Sequence, residues 1–186
     1  MNLARRRNPP LSCVGNHTYI RRYELLDDAE LYHAARESIH EVYPFLMWCH
    51  PGYSLADSRA WLKAVRAEWE RGTSYAFAIR DRRTDEFLGG CGLNQVDENP
   101  VMNLGYWVKT SACGRGVATE AAGALRQFGF EHLGLIRIEI VMSVKNAASR
   151  RVAEKTGAHY EGLLANRLLL HGEAHDAWLY ALTPGT

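Results

Sequence analysis

The sequence predicts one domain of α/β (α+β) class, in which helices flank a mixed sheet. Its 186 residues suit a single hydrophobic core. Apolar residues make up 47% of the chain and charged residues 23%, which is typical of a globular protein and not of a disordered one. Helical spacing of apolar residues comes first along the chain, strand-like spacing follows in the middle, and helices and strands take turns afterwards. This order favours a layered helix-and-sheet fold.

Composition also argues against several classes of function. The formal net charge of +1 does not suit a protein that grips nucleic acid along its whole surface. No apolar run approaches the ~18 residues that span a bilayer, and the N-terminus lacks the apolar stretch of a secretory signal. Arg5–Arg7 are interpreted as a solvated tail rather than a nucleic-acid patch. We therefore expect no membrane or nucleic-acid partner.

Cysteine and histidine usage predicts no metal site. Cys13, Cys49, Cys91 and Cys113 form no C-x-x-C pair and match no zinc spacing, and H-E-x-x-H is absent. Reduced thiols in a cytoplasmic protein are the simplest interpretation.

The first half of the chain is predicted to contain a strand, a helix, an aromatic loop or short helix, and a second helix, at residues 19–23, 27–40, 43–53 and 54–72. Ser54 is a typical N-cap of the second helix, with Asp57 in the first turn and Gly72 at the end. Its buried face is predicted to consist of Ala60, Trp61, Ala64, Val65 and Trp69.

The second half begins with a meander of three strands, predicted at 75–79, 87–93 and 103–108. A helix, a strand and a second helix follow at 118–133, 136–144 and 148–156, and a hairpin spans 159–182. Gly134 and Gly157 are predicted to end the two helices.

The segment from Trp107 to Ala121 leads from a strand through a Gly-x-Gly turn into a helix. Gly114 and Gly116 permit positive φ and close approach of a ligand. The N–H groups that follow are unpaired at the helix start, so with the helix dipole they suit a pyrophosphate, to which Arg115 could add charge. A turn that uses glycine for geometry alone is an equal interpretation of this loop by itself.

Known phosphate loops match this segment poorly. No G-x-x-x-x-G-K-[ST] string is present. In the dinucleotide fingerprint, Thr119 stands where a third glycine or alanine is needed, and Glu139 could be the acid. Only 70 residues follow Gly116, too few for a full dinucleotide sheet. A dinucleotide-binding protein is therefore a distant alternative.

A second motif lies downstream, where Asn146-Ala-Ala-Ser149-Arg-Arg-Val-Ala-Glu-Lys-Thr-Gly157 precedes Glu161-Gly162. Together with the glycine loop it resembles the GNAT superfamily of N-acetyltransferases, and most closely the RimJ/RimL branch. That branch carries G-x-G-x-A-T-E-A, N-x-x-S-x-x-V-x-E-K-x-G, E-G and G-x-x-x-D-x-x-x-Y in this order. The last motif is matched here by Gly172, Asp176 and Tyr180. The resemblance predicts a single domain over residues 18–183 after an N-terminal arm, residues 1–17.

The resemblance implies the GNAT fold, a mostly antiparallel mixed sheet with splayed central strands flanked by helices. It implies direct transfer of the acetyl group of acetyl-CoA to a primary amine of a protein N-terminus or a small molecule, through a ternary complex. The strand backbone at 106–108 and Asn146 would contact pantetheine, and the loop at 113–119 would hold the pyrophosphate. The cofactor-binding residues implied are Tyr106, Trp107, Val108, Cys113, Gly114, Arg115, Gly116, Val117, Ala118, Thr119, Asn146 and Ser149.

Ser149 is the catalytic residue that the resemblance implies. The departing thiolate needs a proton, and the tyrosine that donates it in many GNATs is replaced here by Ala153. In the RimL-like branch the serine of N-x-x-S lies near the sulfur, which favours Ser149 as the donor over a role as helix N-cap alone. A backbone N–H near Val108 is expected to meet the oxyanion.

Cys113 stands where the family usually has Gln or Arg, so we expect a less ordered loop that still binds. It is disfavoured as a nucleophile, because no activating histidine is near in sequence.

No general base is assigned. The carboxylate of some relatives falls at Leu168. Glu139, Glu161, Asp176 and a water relay stay open, with Glu139 expected to pair with Arg137 or a neighbouring strand and Asp176 expected to order the hairpin.

The acceptor pocket is expected between the first two helices and the aromatic loop. Tyr43, Trp48 and His50 are the predicted substrate-binding residues, beside Phe45, with packing onto the core as the alternative for at least two of these rings. The sequence does not name the amine, and only the resemblance suggests a homodimer. A catalytically silent acyl-CoA-binding module is the alternative from another class.

Overall fold

A computed structural model describes Pro10 and residues 12–185. Within them lie eight strands: β1 (Ser12–Val14), β2 (Thr18–Arg22), β3 (Ser74–Asp81), β4 (Phe87–Gln95), β5 (Val101–Val108), β6 (Arg137–Ser143), β7 (His159–Leu170) and β8 (Glu173–Leu182). The same residues form five α-helices: α1 (Asp28–Glu37), α2 (Ile39–Val42), α3 (Leu55–Arg71), α4 (Val117–Gln127) and α5 (Ala147–Lys155). None of these helices is both long and apolar enough to cross a membrane.

The strands form one sheet in the order β1-β2-β3-β4-β5-β6-β8-β7. Neighbouring strands are antiparallel except β5 and β6, which are parallel and are joined through α4. The predicted mixed, mostly antiparallel sheet is therefore confirmed. The dinucleotide alternative is wrong, because that fold needs a mostly parallel sheet.

The sheet carries helices on both faces. Successive side chains of a strand point to opposite faces, and on β3 the large ring of Phe77 packs into the core shared with α4. The small side chains of Ala76 and Ala78 pack with Leu31 of α1 and Leu62 of α3. The two helical layers thus enclose β4 and β5.

The ends of α3 lie where the sequence predicts them. Ser54 Oγ accepts a hydrogen bond from the Asp57 N–H at 3.3 Å, and Asp57 Oδ2 accepts one from the Ser54 N–H at 2.8 Å. This reciprocal capping box satisfies backbone groups that the helix leaves unpaired at its start. Gly72 follows the last turn.

The buried face of α3 differs from the prediction. Val65 and Trp69 are buried as expected, but Ala60, Trp61 and Ala64 are exposed. The buried stripe runs instead through positions 58, 62, 65 and 69, which follow the spacing of one helical face. The prediction is wrong at Ala60, Trp61 and Ala64, because the helical face that contains Val65 and Trp69 also contains Leu62 and turns these three residues toward solvent.

The two later helices end as predicted. α4 continues into a π-helical turn, Phe128–Leu133, before Gly134, and Gly157 follows α5. The N-cap of α5 is Asn146, whose Oδ1 accepts a hydrogen bond from the Ser149 N–H at 2.9 Å. Ser149 therefore lies within the first turn, and its interpretation as the N-cap is wrong.

Part of the predicted N-terminal arm belongs to the sheet, since β1 pairs with β2. Glu120 of α4 ties this edge to the helix. Its Oε2 accepts hydrogen bonds from the N–H groups of His17 and Thr18 and from Thr18 Oγ1, each at 3.0 Å. The basic run at 5–7 lies outside the described residues.

Candidate active site

The site begins where β5 and β6 part. The two strands pair only from Val101↔Arg137 to Asn103↔Glu139. Beyond this point a cleft of about 500 Å³ opens between residues 104–108 and 140–143, so the predicted splay of the central strands is confirmed. Asn103 lines the cleft, and its Oδ1 is buried without a hydrogen-bond partner among the described residues. A buried polar atom left unpaired is costly, which indicates a ligand at this point.

The glycine loop forms one wall of the cleft. Gly114 and Gly116 have φ of 76° and 80°, a conformation that glycine adopts without strain. A Cβ at either position would meet no atom within 4 Å, so the space beside the loop is open. Gly116 is the N-cap of α4 and provides no side-chain cap. The N–H groups of the first turn are thus available to an anion.

The structure brings the predicted cofactor-binding residues together with one exception. All of them line the cleft except Arg115, whose guanidinium lies 3.5 Å from Asp81 Oδ2. Two cations that were not predicted, Arg151 and Lys155, line the cleft instead. They lie four residues apart on α5, hence on one helical face. Their four-residue spacing inside the second motif could have predicted that both cations face the cleft.

The segment around α1 and α2 holds the turn that precedes the glycine loop. Glu37 Oε1 accepts hydrogen bonds from Ser111 N–H at 3.1 Å and from Ser111 Oγ at 2.7 Å. Glu41 Oε2 accepts one from Thr110 Oγ1 at 2.8 Å. Burial raises the pKa of Glu37, but the bonds from Ser111 outweigh it and leave the pKa lowered. Both carboxylates thus position the loop.

Ser149 faces a tyrosine across the cleft. Its Oγ lies 2.8 Å from Tyr106 Oη, which also donates a hydrogen bond to the Ser149 carbonyl at 3.1 Å. Burial raises the pKa of Tyr106 to about 12, although the bond with Ser149 lowers it, so the phenol is neutral near pH 7. Only the backbone of Tyr106 was predicted to contribute, because its partner lies 43 residues away.

Cys113 has the environment of a structural thiol. Its Sγ donates to the carbonyls of Val108 at 3.8 Å and Lys109 at 3.5 Å. Burial raises its pKa, and the carboxylates of Glu41 and Glu37 raise it further. The thiolate needed for nucleophilic attack is therefore disfavoured, in line with the prediction.

The carboxylates left open as bases are engaged elsewhere. Arg137 Nε donates to Glu139 Oε1 at 2.8 Å, as expected, and Arg137 Nη1 donates to Glu161 Oε1 at 2.8 Å. Asp176 Oδ1 accepts from the Asn166 N–H at 2.8 Å and so orders the hairpin. No group of His, Cys, Asp or Glu side chains in the described chain is arranged to hold a metal ion.

The three predicted substrate-binding residues lie apart. Trp48 lines a second cavity, which shares lining residues with the cleft. Tyr43 packs edge-on against His171 at 4.4 Å between ring centroids, and His50 packs against Tyr53 at 6.2 Å. Neither Tyr43 nor His50 lines either cavity, so the packing alternative describes these two rings.

Known proteins resemble this chain in sequence. The family described as Acetyltransferase (GNAT) domain matches residues 17–159. The uncharacterized N-acetyltransferase p20 of Bacillus licheniformis is 29% identical over 133 residues, covering 71% of this chain and 75% of p20. The ribosomal-protein-serine acetyltransferase of Escherichia coli is 27% identical over 169 residues, covering 83% of this chain and 92% of that protein.

A solved structure is also similar to this chain over most of its length. Mycobacterium smegmatis RimJ in complex with CoA-disulfide is similar to this chain with a TM-score of 0.82 and 26% sequence identity. The similarity covers 90% of this chain and 82% of the RimJ chain. The likeness therefore extends over most of both chains.

Proposed function

This chain belongs to the GNAT acetyltransferase family, and from that premise we propose that it transfers the acetyl group of acetyl-CoA directly to a primary amine, on a protein N-terminus or a small molecule. The observation that carries the proposal is the cleft between β5 and β6, which joins an open anion loop to the Tyr106–Ser149 pair. Relatives named as ribosomal-protein acetyltransferases support an amine acceptor.

The residues of the cleft fit coenzyme A. The uncapped start of α4 suits the pyrophosphate, and Arg151 and Lys155 add positive charge beside it. The edge of β5 that β6 leaves unpaired suits the amides of the pantetheine arm, which would add like a strand. Asn103 Oδ1 would gain the hydrogen-bond donor that it lacks.

The Tyr106–Ser149 pair is the proposed proton donor. Acetyl-CoA supplies a thioester, whose C–S bond breaks as the amine forms the C–N bond, and the thiolate released needs a proton. Ser149 Oγ–H provides it, and Tyr106 Oη, protonated near pH 7, holds the serine hydroxyl in place and returns a proton to it. The proton that the amine loses as the amide forms passes to solvent, and solvent reprotonates Tyr106, so that the pair is restored. A backbone N–H near Val108 stabilises the negative charge that develops on the carbonyl oxygen.

A ligand panel tests the activity. Acetyl-CoA is expected to raise the melting temperature of the protein and NAD is not, and thiol release with an amine panel is expected to follow. Stabilisation by NAD alone would overturn the proposal. Binding of acetyl-CoA without thiol release for any amine would favour the silent acyl-CoA-binding module, which the Tyr106–Ser149 pair counts against.

Variants of the pair test the mechanism. Ser149→Ala is expected to lower kcat by about 10²-fold, the lower end of what a general acid contributes. Tyr106→Phe is expected to lower kcat less, because the serine hydroxyl remains. Tyr160→Phe, at an exposed tyrosine, is the matched control. Full turnover and an unchanged pH profile in Ser149→Ala would rule out the assigned donor.

A further inference from the structure

The second cavity has a volume of about 220 Å³ and lies on the face of β4 and β5 that α1 and α3 cover. Its floor is made of glycine. Gly92 of β4 lies directly opposite Gly105 of β5, and Gly90 lies opposite Trp107. A Cβ on Gly105 would meet nothing nearer than Asn94 Nδ2 at 4.0 Å. Only Gly105 leaves open space, because side chains of Tyr23 and Trp107 occupy the Cβ position of Gly90 and the backbone of Tyr75 and Ala76 occupies that of Gly92. We call this cavity the channel.

Aromatic rings wall this channel. Tyr23 meets Trp61 edge-on at 4.8 Å between ring centroids, and Trp48 meets Trp107 at 5.2 Å and Tyr53 at 5.4 Å. The faces of such rings attract cations. Tyr23 is only 8% exposed, and its hydroxyl has no hydrogen-bond partner among the described residues. This hydroxyl lies over Gly90, where a Cβ would collide with it. An unpaired buried hydroxyl in a cavity wall indicates a polar ligand atom beside it.

Among the residues that line the channel, Glu68 is the one with a charged side chain. Glu68 also lines an open groove at the outer end of the channel, together with Asp97 and Glu98. The Glu68 carboxylate has no ion-pair or hydrogen-bond partner among the described residues. No lysine, arginine or histidine lines the channel or the groove, whereas Arg151 and Lys155 line the cofactor cleft. The two cavities thus differ in charge as well as in place.

The channel adjoins the cofactor cleft. The two cavities share Leu46, Gly105, Tyr106 and Trp107 as lining residues. Asn94 lies two residues beyond Gly92, about 7 Å along β4, and lines both the channel and the outer groove together with Glu68. A linear acceptor with its reactive amine at the shared wall would therefore extend its far end toward Glu68.

We infer that the acceptor is an elongated amine that carries a second cationic group, which the aromatic channel and Glu68 bind. This inference rests on the proposed function and specifies its substrate class. The reactive amine lies at Gly105–Trp107, the intervening chain passes between the rings, and the distal ammonium or guanidinium lies at the acidic end. A small polyamine and a protein N-terminus followed by a basic side chain both present this chemistry.

Two kinetic arms distinguish these sources. The first compares kcat/KM for spermidine with kcat/KM for butylamine, which has no distal charge. The second compares a peptide that has lysine near its free N-terminus with the same peptide carrying glutamine there. Preference for the charged member in one arm identifies the source. Equal rates within both arms would overturn the inference.

Two neighbouring glutamates supply the variant and its control. Glu68→Gln is expected to lower the preference for the charged substrate about tenfold, because it removes the charge partner of the distal cation. Glu70→Gln leaves the preference unchanged, since Glu70 faces Arg22 and Arg66 at the surface. The same ratio in both variants would overturn the inference.

A binding measurement keeps this test separate from catalysis. Trp48, Trp61 and Trp107 line the channel, so spermidine or the lysine peptide is expected to change the tryptophan fluorescence without acetyl-CoA present. The midpoint of the change should rise about tenfold in Glu68→Gln and stay the same in Glu70→Gln. If no amine releases thiol, the proposed function fails, and this titration still decides whether the channel binds cations.

Discussion

Replacing Glu120 with alanine should remove the hydrogen bonds that hold the N-terminal edge of the sheet to α4 and so lower the free energy of unfolding. The carboxylate accepts hydrogen bonds from the His17 N–H, the Thr18 N–H and Thr18 Oγ1, each at 3.0 Å. Thr18 is buried, so water cannot replace its two bonds, whereas the exposed bond from His17 adds little. At about 1.5 kcal/mol for each bond to a charged group, the loss is about 3 kcal/mol.

Urea unfolding measured by circular dichroism checks this value. Glu120→Gln keeps a neutral acceptor and should lose about 1 kcal/mol. Glu131→Ala is the control, because its exposed carboxylate accepts a single bond from Gln127, and it should change stability by less than about 0.5 kcal/mol. If Glu120→Ala and Glu131→Ala unfold at the same urea concentration, the reasoning is refuted.

The pH dependence gives a second check on Glu120. Burial raises its pKa, but the hydrogen bonds from His17 and Thr18 outweigh burial and leave the pKa lowered. A lowered folded-state pKa adds stability above the unfolded-state value of about 4.3, and this stability is lost as the pH falls through the folded-state value. The difference in stability between the wild type and Glu120→Gln should therefore shrink below about pH 4. A constant difference between pH 7 and pH 3 would contradict the assignment.

Three further variants probe the loop, the cations and a helix cap. Gly116→Ala should cost about 1 kcal/mol, since alanine is strained at this φ, and should reduce the thermal stabilisation by acetyl-CoA; equal stability would show that the loop tolerates a side chain. Replacing Arg151 and Lys155 together with alanine should raise the Kd for acetyl-CoA about tenfold at low salt, measured by fluorescence, while Arg150→Ala, on a side chain that pairs with Glu154, should not. Ser54→Ala should lower the free energy of unfolding by about 1 kcal/mol in urea titrations, and an unchanged midpoint would mean that the capping box is not stabilising.

Features that depend on neighbours in sequence were predictable. Ser54, Asp57 and Gly72 define α3 through chemistry contained in one turn at each end. Gly114 and Gly116 similarly indicate a loop before a helix, because glycine is favoured wherever the backbone of a single residue has a positive φ. These features can be predicted without knowledge of the tertiary structure.

Features that depend on strand register were not predictable. Tyr106 and Ser149 meet only because α5 packs beside β5, and a sequence does not state this packing. The glycine floor needs Gly92 to lie opposite Gly105, which follows from the pairing of β4 with β5. Arg115 was predicted to add charge because it lies within the glycine loop, although its guanidinium lies 3.5 Å from Asp81 Oδ2.

The parting of β5 from β6 also leaves the two parts of the sheet joined by few backbone pairs. Strands β1–β5 and β6–β8 form two half-sheets, and between β5 and β6 only the pairs from Val101↔Arg137 to Asn103↔Glu139 bridge them. A ligand laid along the open side of β5 as an added strand would pair with backbone groups that β6 leaves free. The amide hydrogens of residues 104–108 should then exchange more slowly with solvent once the cleft is filled, and both half-sheets should unfold as one unit.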